Sequence, residues 1–265
     1  MHETILIDGH VHIYPIYDIQ RLIDKSRDNF ILTQRTSTNR DDAIKVWLLT
    51  ERADCHFFEK ALETDIKGYT FEKTAEPETL IIKDRSTHEP LIYVLAGRQI
   101  VTRDRLEICA LATSYQQDNN ALNTSETISA VNDAGGLAAL NWAPGKWFGQ
   151  RKNVVKELLD QYSPQELLIS DTTMRPTVWS TPNLMAAALR RGFRMISGSD
   201  PLPFKGEEKR IAGYAFLISG QFDYDKPAAS IRALLKDAQS EITICGKRSG
   251  PVTFLRRQLK IMAEK

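Results

Sequence analysis

Two histidines separated by one residue lie near the start of the chain, at His10 and His12. An apolar run over residues 5–7 precedes them, which predicts that they end the first strand of the fold. Because side chains alternate in direction along a strand, both imidazoles should point to the same side. Two imidazoles on one side of a strand end are a common beginning of a metal site. The alternative is a surface His-x-His sequence that arose by chance.

A second group of reactive residues is the basic loop, which we define as residues 145–152. It lies between a predicted strand and a predicted helix and carries the cations Lys146 and Arg151. Its two glycines allow close backbone approach and the helix start offers free N–H groups, so the loop suits a phosphate or carboxylate. The alternative is a solvated loop whose two aromatic side chains pack into the core. Arg52 and Arg175 each lie just beyond a predicted strand end and would share the same face of a barrel.

The composition is that of a globular protein without a strong net charge. The 265 residues are 42% hydrophobic and 26% charged, which is sufficient for an apolar core. Lys and Arg total 35, Asp and Glu total 34, and the formal net charge is +1. This balance gives no overall attraction to nucleic acid and leaves only local basic patches to consider. Nucleic acid is therefore not the expected partner.

The sequence shows no sign of export or membrane insertion. Its N-terminus lacks a basic segment followed by an apolar one, so no signal peptide is predicted. No apolar run approaches the roughly 20 residues of a membrane helix. The three cysteines, Cys55, Cys109 and Cys245, are far apart and contain no Cys-x-x-Cys motif. We expect them to be reduced and mostly buried, in a cytoplasmic protein without a membrane partner.

The predicted elements place the reactive residues in an α/β fold. From residue 123 onward, strands and helices alternate, which is typical of a mainly parallel sheet with right-handed crossovers. Residues 68–111 differ, because alternating and strongly apolar runs predict a β-rich insert there. No linker, low-complexity segment or clear repeat interrupts the sequence, so we predict a single domain over residues 1–265. The last predicted helix has a basic face that includes Arg257, which we interpret as solvated.

The order of these motifs resembles that of one superfamily of metal-dependent phosphoesterases. The first strand ends in His-x-His at residues 10–12, and a late strand ends in Ser-Gly-Ser-Asp at residues 197–200. In this arrangement the chain resembles the polymerase and histidinol phosphatase (PHP) superfamily and, more distantly, the amidohydrolases. The resemblance implies a distorted TIM-like (β/α) barrel of the PHP type, with its cleft at the carboxyl ends of the strands. Five positions where the superfamily has later ligands hold other residues here: Arg52, Gln99, Glu107, Ala143 and Leu202.

The resemblance implies a reduced metal site. The superfamily binds two or three ions, but alanine and leucine cannot coordinate a metal, which argues against a trinuclear centre. His10, His12 and Asp200 remain as ligands for one divalent ion, which would be zinc, manganese or iron. An open position would hold a water whose pKa the ion lowers towards neutrality, supplying a nucleophile. Glu51 or Glu107 would complete the ligand shell or act as the base, and Asp200 is grouped with them as catalytic.

These expectations lead to three functional hypotheses. The first is a divergent metal-dependent hydrolase, in particular a phosphoesterase acting on a small phosphorylated anion that Arg52, Lys146, Arg151 and Arg175 would clamp. The second, motivated by the missing imidazoles, is a catalytically inactive PHP-like protein that holds no metal and binds an anionic ligand or a partner protein. The third is amidohydrolase-type cleavage of C–N bonds. It is the weakest of the three, because no histidine follows His88 on the later strands.

Overall fold

The computed structural model describes residues 2–38 and 42–263 and confirms the α/β class. Its strands are β1 (His2–Val11), β2 (Ile44–Leu49), β3 (Tyr69–Lys73), β4 (Thr79–Asp84), β5 (Pro90–Leu95), β6 (Gly97–Val101), β7 (Glu107–Leu111), β8 (Leu137–Asn141), β9 (Leu168–Thr172), β10 (Met195–Gly198), β11 (Tyr214–Gln221) and β12 (Ile242–Gly246). Its α-helices are α1 (Ile19–Gln34), α2 (Phe57–Lys60), α3 (Thr124–Asp133), α4 (Arg151–Gln161), α5 (Asn183–Arg190), α6 (Pro227–Lys236) and α7 (Pro251–Ala263). Short 3₁₀ helices lie at Ala61–Glu63 and Glu207–Arg210.

The strands form two sheets. The larger sheet has the order β12-β11-β1-β2-β5-β4-β3, and the smaller sheet has the order β10-β9-β8-β7-β6. Among the strand pairs of the described chain, β1-β2-β5 and β8-β9-β10 are parallel and the remaining pairs are antiparallel. The mainly parallel sheet predicted from residue 123 onward is therefore confirmed for β8, β9 and β10 and is wrong for β11 and β12. The β-rich stretch predicted at residues 68–111 contains β3 to β7 and is divided between the two sheets.

Strand β11 is not predicted by the sequence patterns, although it pairs with β1 over most of its length. In this antiparallel register Ile5 lies opposite Ile218 and Leu6 lies opposite Leu217. The first five residues of β11 are all buried, so the strand lacks the alternation that marks a half-exposed strand. Because β11 lies on one side of β1 and β2 on the other, the strand that carries His10 is held inside the sheet.

The apolar core has a layer between the two sheets and a further layer on the outer face of each. Ile5 and Ile7 belong to the layer between the sheets, whereas Leu6 belongs to the layer beneath α1, as strand alternation requires. The smaller sheet packs its other face against α3, α4 and α5. Both faces of β1 are covered, which explains why its central sequence is a continuous apolar run.

The two sheets approach each other at two points. At one point Glu51 forms a parallel bridge with Arg98. At the other, the backbone N–H of Asp200 donates to the carbonyl oxygen of His10 at 2.9 Å. Gly198 permits this approach, because a Cβ there would lie 2.3 Å from the backbone nitrogen of His10. The described strands nevertheless belong to two separate sheets, and a closed TIM-like barrel is not confirmed.

Two further expectations concern the whole chain. Among the described residues, no helix is both long enough and apolar enough to cross a membrane. Cys55, Cys109 and Cys245 are free and buried, as the sequence predicts. Cys109 lies on β7, where its thiol faces the imidazole of His10.

Candidate metal centre

His10 and His12 lie at the carboxyl end of β1, and Asp200 follows β10, at one of the two points where the sheets meet. The two Nε2 atoms are 3.1 Å apart. They lie 3.7 Å (His10) and 3.6 Å (His12) from Oδ1 of Asp200. The three residues are only 0%, 3% and 8% exposed, respectively. We call them the His–Asp cluster, and its donor atoms lie within 4.8 Å of one another, as in a group that could hold a metal ion.

The donor set fits one divalent ion. Two ligand atoms about 2.0–2.1 Å from a tetrahedral ion lie roughly 3.3 Å apart, which is close to the separations in the cluster. The Nδ1 atom of His10 is 3.6 Å from the thiol sulfur of Cys109, so its partner inside the protein leaves Nε2 for the cluster. The Nδ1 atom of His12 is buried without a hydrogen-bond partner among the described residues. Imidazole nitrogens with a carboxylate oxygen are suitable ligands for zinc, iron or manganese.

Burial keeps the imidazole of His12 neutral. Desolvation lowers the pKa of His12 to about 3, and the neighbouring His10 and the cation Arg52 act in the same direction. The carboxylate of Asp200 opposes this shift without overcoming it. A neutral imidazole keeps a lone pair for a ligand, so His12 is in its metal-binding form throughout the neutral pH range.

Several contacts hold Asp200 in its place. Its φ of 46° is a left-handed conformation, which a non-glycine residue adopts only with support from its surroundings. Thr172 Oγ1 donates to Oδ2 of Asp200 at 2.9 Å, which leaves Oδ1 facing the imidazoles. Arg257 Nη2 donates to the carbonyl oxygen of Asp200 at 2.6 Å. Burial acts to raise the pKa of this carboxyl, but both imidazoles, Arg257 and Thr172 outweigh burial and lower it, which favours the carboxylate.

Asp8 lies beside the cluster but uses both oxygens within the protein. Its Oδ1 accepts from the backbone N–H of His10 at 3.2 Å and of Ser199 at 2.9 Å. Its Oδ2 accepts from the N–H of Ala212 at 2.7 Å. Burial raises the pKa of Asp8 to about 6 although these donors act to lower it. The carboxyl thus ties the end of β1 to the segment that carries Asp200.

A cavity of about 370 Å³ opens beside the cluster. This volume lies within the range of small-molecule sites. His12 and Asp200 line the cavity together with polar residues (Tyr14, Arg52, Gln99, Glu107 and Asn141) and apolar residues (Ala143, Met174, Leu202, Pro203, Phe204 and Ile261). All five positions at which the PHP resemblance implies replaced ligands are in this lining. The tertiary structure therefore brings these five positions, which are far apart in the sequence, together around one cavity.

The predicted base Glu51 is occupied in stabilising a helix. It is buried at the end of β2, and its Oε1 accepts from the backbone N–H groups of Phe57 and Phe58 at the start of α2. It does not line the cavity beside the cluster. Burial raises the pKa of Glu51 to about 7, against the lowering effects of Arg98 and the two N–H donors.

The second predicted base, Glu107, does line the cavity. Asn141 Nδ2 donates to its Oε2 at 3.1 Å, and the ammonium of Lys146 lies 3.1 Å from its Oε1. The ammonium of Lys146 therefore lies beside the cavity and neutralises the carboxylate of Glu107. The amide and the ammonium together fix the orientation of the Glu107 side chain.

The four predicted anion-binding cations do not converge. Arg52 lines the cavity, where its guanidinium lies 5.9 Å from the centre of the Tyr14 ring. Its Nε and Nη2 donate to the two carboxylate oxygens of the exposed Asp54 at 3.1 and 3.2 Å. Arg151 instead donates to the carbonyl oxygens of Gly145 at 2.6 Å and Lys146 at 2.9 Å. These two bonds fold the basic loop onto itself, away from the cavity lining.

Arg175 is buried in a separate ion pair. Its Nε and Nη2 donate to the two carboxylate oxygens of Asp171 at 2.7 and 2.6 Å. Its Nη1 donates to the carbonyl oxygen of Trp179 at 3.0 Å, and the hydroxyl of Tyr214 donates to Asp171 at 2.9 Å. This bidentate pair satisfies both partners inside the protein. The side chain of Arg175 is thus directed at Asp171 and not at the cavity.

The interpretation of the last helix as a solvated basic face is wrong for Arg257. This residue is 2% exposed, and its Nη1 donates to Thr173 Oγ1 at 2.8 Å. Its Nη2 lies 3.0 Å from a carboxylate oxygen of Glu207, in addition to its bond with Asp200. The preceding residue, Arg256, is exposed. A pair of adjacent arginines gives no signal of which one faces the protein, so only the packing of α7 reveals this support for the cluster.

The solved structures that are similar to this chain include PsfC from Pseudomonas syringae PB-5123, with a TM-score of 0.61 at 12% identity over 99% of this chain and 100% of that one. The lesion-specific endonuclease PfuEndoQ from Pyrococcus furiosus has a TM-score of 0.50 at 12% identity, over 90% of this chain and 57% of that one. A two-domain protein from Bacteroides vulgatus ATCC 8482, containing a predicted PHP-like metal-dependent phosphoesterase, has a TM-score of 0.49 at 12% identity, over 91% of this chain and 65% of that one.

No model of a known protein family matches the sequence, and no curated protein matches it. At 12% identity, the similarity to solved structures shows the fold alone. The resemblance to a PHP-type fold that the strand-end motifs predict is confirmed at this level, since the chain shares its fold with PsfC and with PfuEndoQ.

Proposed function

We propose that the chain is a metal-dependent hydrolase, in particular a phosphoesterase, with one divalent ion held by His10, His12 and Asp200. The observation that carries the proposal is the convergence of these three buried donors beside a cavity of small-molecule size. The similarity of fold to an endonuclease, a class of enzyme that cleaves phosphodiesters, favours phosphoester chemistry over hydrolysis of C–N bonds.

We further infer that the two sheets are the two sides of a distorted barrel of the PHP type. The bridge between Glu51 and Arg98 and the hydrogen bond between Asp200 and His10 support this inference. Both contacts lie near the cavity, because Arg52 follows the first and Asp200 takes part in the second. A barrel of this kind would place the cavity at the carboxyl ends of its parallel strands, where such folds keep their active sites.

The side chains around the cavity have different roles in the proposed reaction. When bound, the ion supplies a Lewis acid and activates a water at neutral pH. We assign Glu107 the role of general base, because it lines the cavity and its orientation is fixed by Asn141 and Lys146. Arg52 binds the anionic group of the substrate. Glu51 has no role in this assignment beyond holding the start of α2.

A second candidate is a PHP-like protein that binds an anionic ligand without metal or turnover. Ala143 and Leu202 favour it, since both line the cavity at positions where the resemblance implies metal ligands. In this case one Nε2–H of the two histidines donates to the other across their 3.1 Å separation. The cavity would then select its ligand through Arg52 and its apolar residues alone.

The two candidates are separated by metal content and turnover. Untagged protein purified without chelator is analysed by mass spectrometry for zinc, manganese and iron, beside the double variant His10→Ala/His12→Ala. His56→Ala is the matched control, because His56 is a half-exposed histidine that contacts Glu59 outside the cluster. The same proteins are assayed on phosphomonoesters and phosphodiesters.

We expect about one ion per chain in the wild type and in His56→Ala, and none in the double variant. The two metal-containing proteins should hydrolyse the phosphoesters, and the double variant should not. Metal-free wild type whose melting temperature does not change on adding any of the three ions would contradict the proposal. That result would favour the metal-free binding protein.

A further inference from the structure

We propose that the cavity beside the His–Asp cluster takes a singly charged ester with an apolar body, and not a sugar phosphate or another substrate carrying several charges. This inference rests on the proposed function and names its substrate class. It follows from the distribution of apolar, polar and charged groups in the lining of the cavity.

One side of the cavity is an apolar wall, which we define as Met174, Leu202, Phe204 and Ile261. The first three residues form a buried hydrophobic cluster of their own, and Ile261 packs against it. All four line the cavity. The wall therefore joins three segments of the chain, the loop after β9, the loop after β10 and helix α7, into one surface.

Two contacts hold residues of the apolar wall in place. The ammonium of Lys260 lies 5.4 Å from the centre of the Phe204 ring, within the range of a cation–π contact. The hydroxyl of Tyr17 donates to the carbonyl oxygen of Leu202 at 2.5 Å. A substrate hydroxyl placed against this wall would find no partner in its four side chains, and an unpaired buried hydroxyl is unfavourable. A polyhydroxyl substrate is therefore a poor fit.

The charges in the lining are few. Among the described residues that line the cavity, Arg52 is the one arginine and no lysine is present. Arg52 already contacts Asp54 at 3.1 Å, and Lys146 is paired with Glu107 at the edge. Arg151 and Arg175 donate to other groups in the protein. One cation and one proposed ion are suited to a monoanion, whereas a substrate with two or three negative charges would be poorly neutralised.

The apolar wall and the charged residues of the lining together define how the substrate is oriented in the cavity. The anionic group lies between the His–Asp cluster and Arg52, and the apolar body lies against the apolar wall. The volume of about 370 Å³ leaves room for a body of several carbon atoms. Because each buried methylene group contributes about a fourfold gain in affinity, the length of the body should decide the affinity.

The test uses two alkyl methylphosphonate monoesters, which carry one negative charge, as probes in calorimetric titrations. Hexyl methylphosphonate has an apolar body, methyl methylphosphonate lacks one, and ribose 5-phosphate is the highly charged polyhydroxyl comparison. Each is titrated into wild-type protein with and without added zinc. We expect the hexyl ester to bind at least tenfold more tightly than the methyl ester and than ribose 5-phosphate.

Variants locate the effect in the apolar wall. Phe204→Ala and Ile261→Ser should each weaken binding of the hexyl ester about fivefold to tenfold and leave the methyl ester within twofold. Val252→Ser is the matched control, because Val252 is an exposed apolar residue on the same helix as Ile261 and does not line the cavity. A circular dichroism melt of each variant verifies that it is folded.

Equal affinities for the hexyl and methyl esters, or tighter binding of ribose 5-phosphate, would overturn the inference. If zinc binds and phosphoesters are hydrolysed in that case, the proposed function stands and only its substrate class is wrong. If zinc does not bind but the hexyl ester is preferred and the wall variants lose this preference, the inference about the cavity stands and the hydrolase proposal fails.

Discussion

The His–Asp cluster and the basic loop both follow buried strands, yet they use their charged and polar groups in opposite ways. In the cluster, Nε2 of His10, Nε2 of His12 and Oδ1 of Asp200 face one another beside a cavity. In the basic loop, Arg151 donates to two carbonyl oxygens of the same loop, and Lys146 pairs with Glu107. One region keeps its donor atoms for a ligand, and the other uses them for its own structure.

The backbone around each region explains the difference. In the cluster, the backbone N–H of His10 donates to Asp8 and its carbonyl oxygen accepts from the N–H of Asp200, so the backbone groups of His10 are already paired. The basic loop has carbonyl groups outside any strand or helix, and these groups need donors. An arginine with several donors in such a loop is the nearest partner for them. A cationic side chain at the carboxyl end of a strand therefore indicates an anion site only if the carbonyl and carboxylate oxygens near it already have hydrogen-bond donors.

The largest expected effect comes from Gly198→Ala, which forces β1 and β10 apart at the cluster. The new Cβ would lie 2.3 Å from the backbone nitrogen of His10, so the free energy of unfolding should fall by about 3 kcal/mol. Gly250→Ala is the control, since a Cβ there would meet no atom within 4 Å. Urea unfolding measures both variants, and equal midpoints would show that the close approach at Gly198 is not required.

The next largest effect is expected from the support behind Asp200. Arg257→Met removes the donor to the Asp200 carbonyl oxygen, and loss of a contact that positions a ligand lowers metal affinity about 10-fold to 100-fold. Arg257→Lys keeps the charge and should recover part of the affinity, whereas Arg256→Met, an exposed neighbour, should have no effect. Competition with a chromophoric zinc chelator gives the affinity. Unchanged zinc affinity in folded Arg257→Met would show that Arg257 does not support metal binding by the cluster.

The comparison between the two regions predicts different roles for their arginines. Arg52→Ala removes a cation from the cavity lining and should raise the KM for an anionic ester about tenfold, as expected for a lost charge-assisted hydrogen bond. Arg151→Ala should leave KM within twofold and lower the melting temperature, because its contacts lie within the basic loop. Steady-state kinetics and thermal melts measure both. A larger change of KM in Arg151→Ala would reverse the assignment of the two residues.

The last effect concerns Glu51 and appears only as the pH is raised. Burial raises its folded-state pKa from an ordinary 4.5 to about 7, so the wild type loses stability as the pH rises from 4.5 through 7. Glu51→Gln cannot ionise, so its stability relative to the wild type should rise by about 3 kcal/mol between pH 4 and pH 8. Urea unfolding at the two pH values measures this difference. A gain that is the same at both would contradict the raised pKa.

Some of the site could be predicted because local patterns carry directional information. The His-x-His spacing predicts two imidazoles on one side of β1, and in the structure their Nε2 atoms face each other. The five strand-end positions of the PHP resemblance all line the cavity, because each follows or belongs to a strand whose apolar run is visible. The sequence predicts an anion-binding role for Arg175 from its position alone, and the structure pairs that residue with Asp171.

Other features have no local signal. β11 is buried over its first five residues, so its apolar run carries no alternation, and its pairing with β1 depends on a distant segment. The burial of Arg257 depends on how α7 packs against the loops after β9 and β10. The role of Glu51 depends on the return of the chain at residues 57–58 to the end of β2.

The α/β class and the direction of the two histidines follow from the amino-acid sequence alone, because alternation and apolar runs are properties of neighbouring residues. The position of Asp200 opposite those histidines, the bond from Arg257 to its backbone and the apolar wall of the cavity all depend on how the chain folds. Distances between remote segments are set by strand order and by close contacts such as that of Gly198 with His10. Such contacts depend on three-dimensional packing and not on the pattern of any one segment.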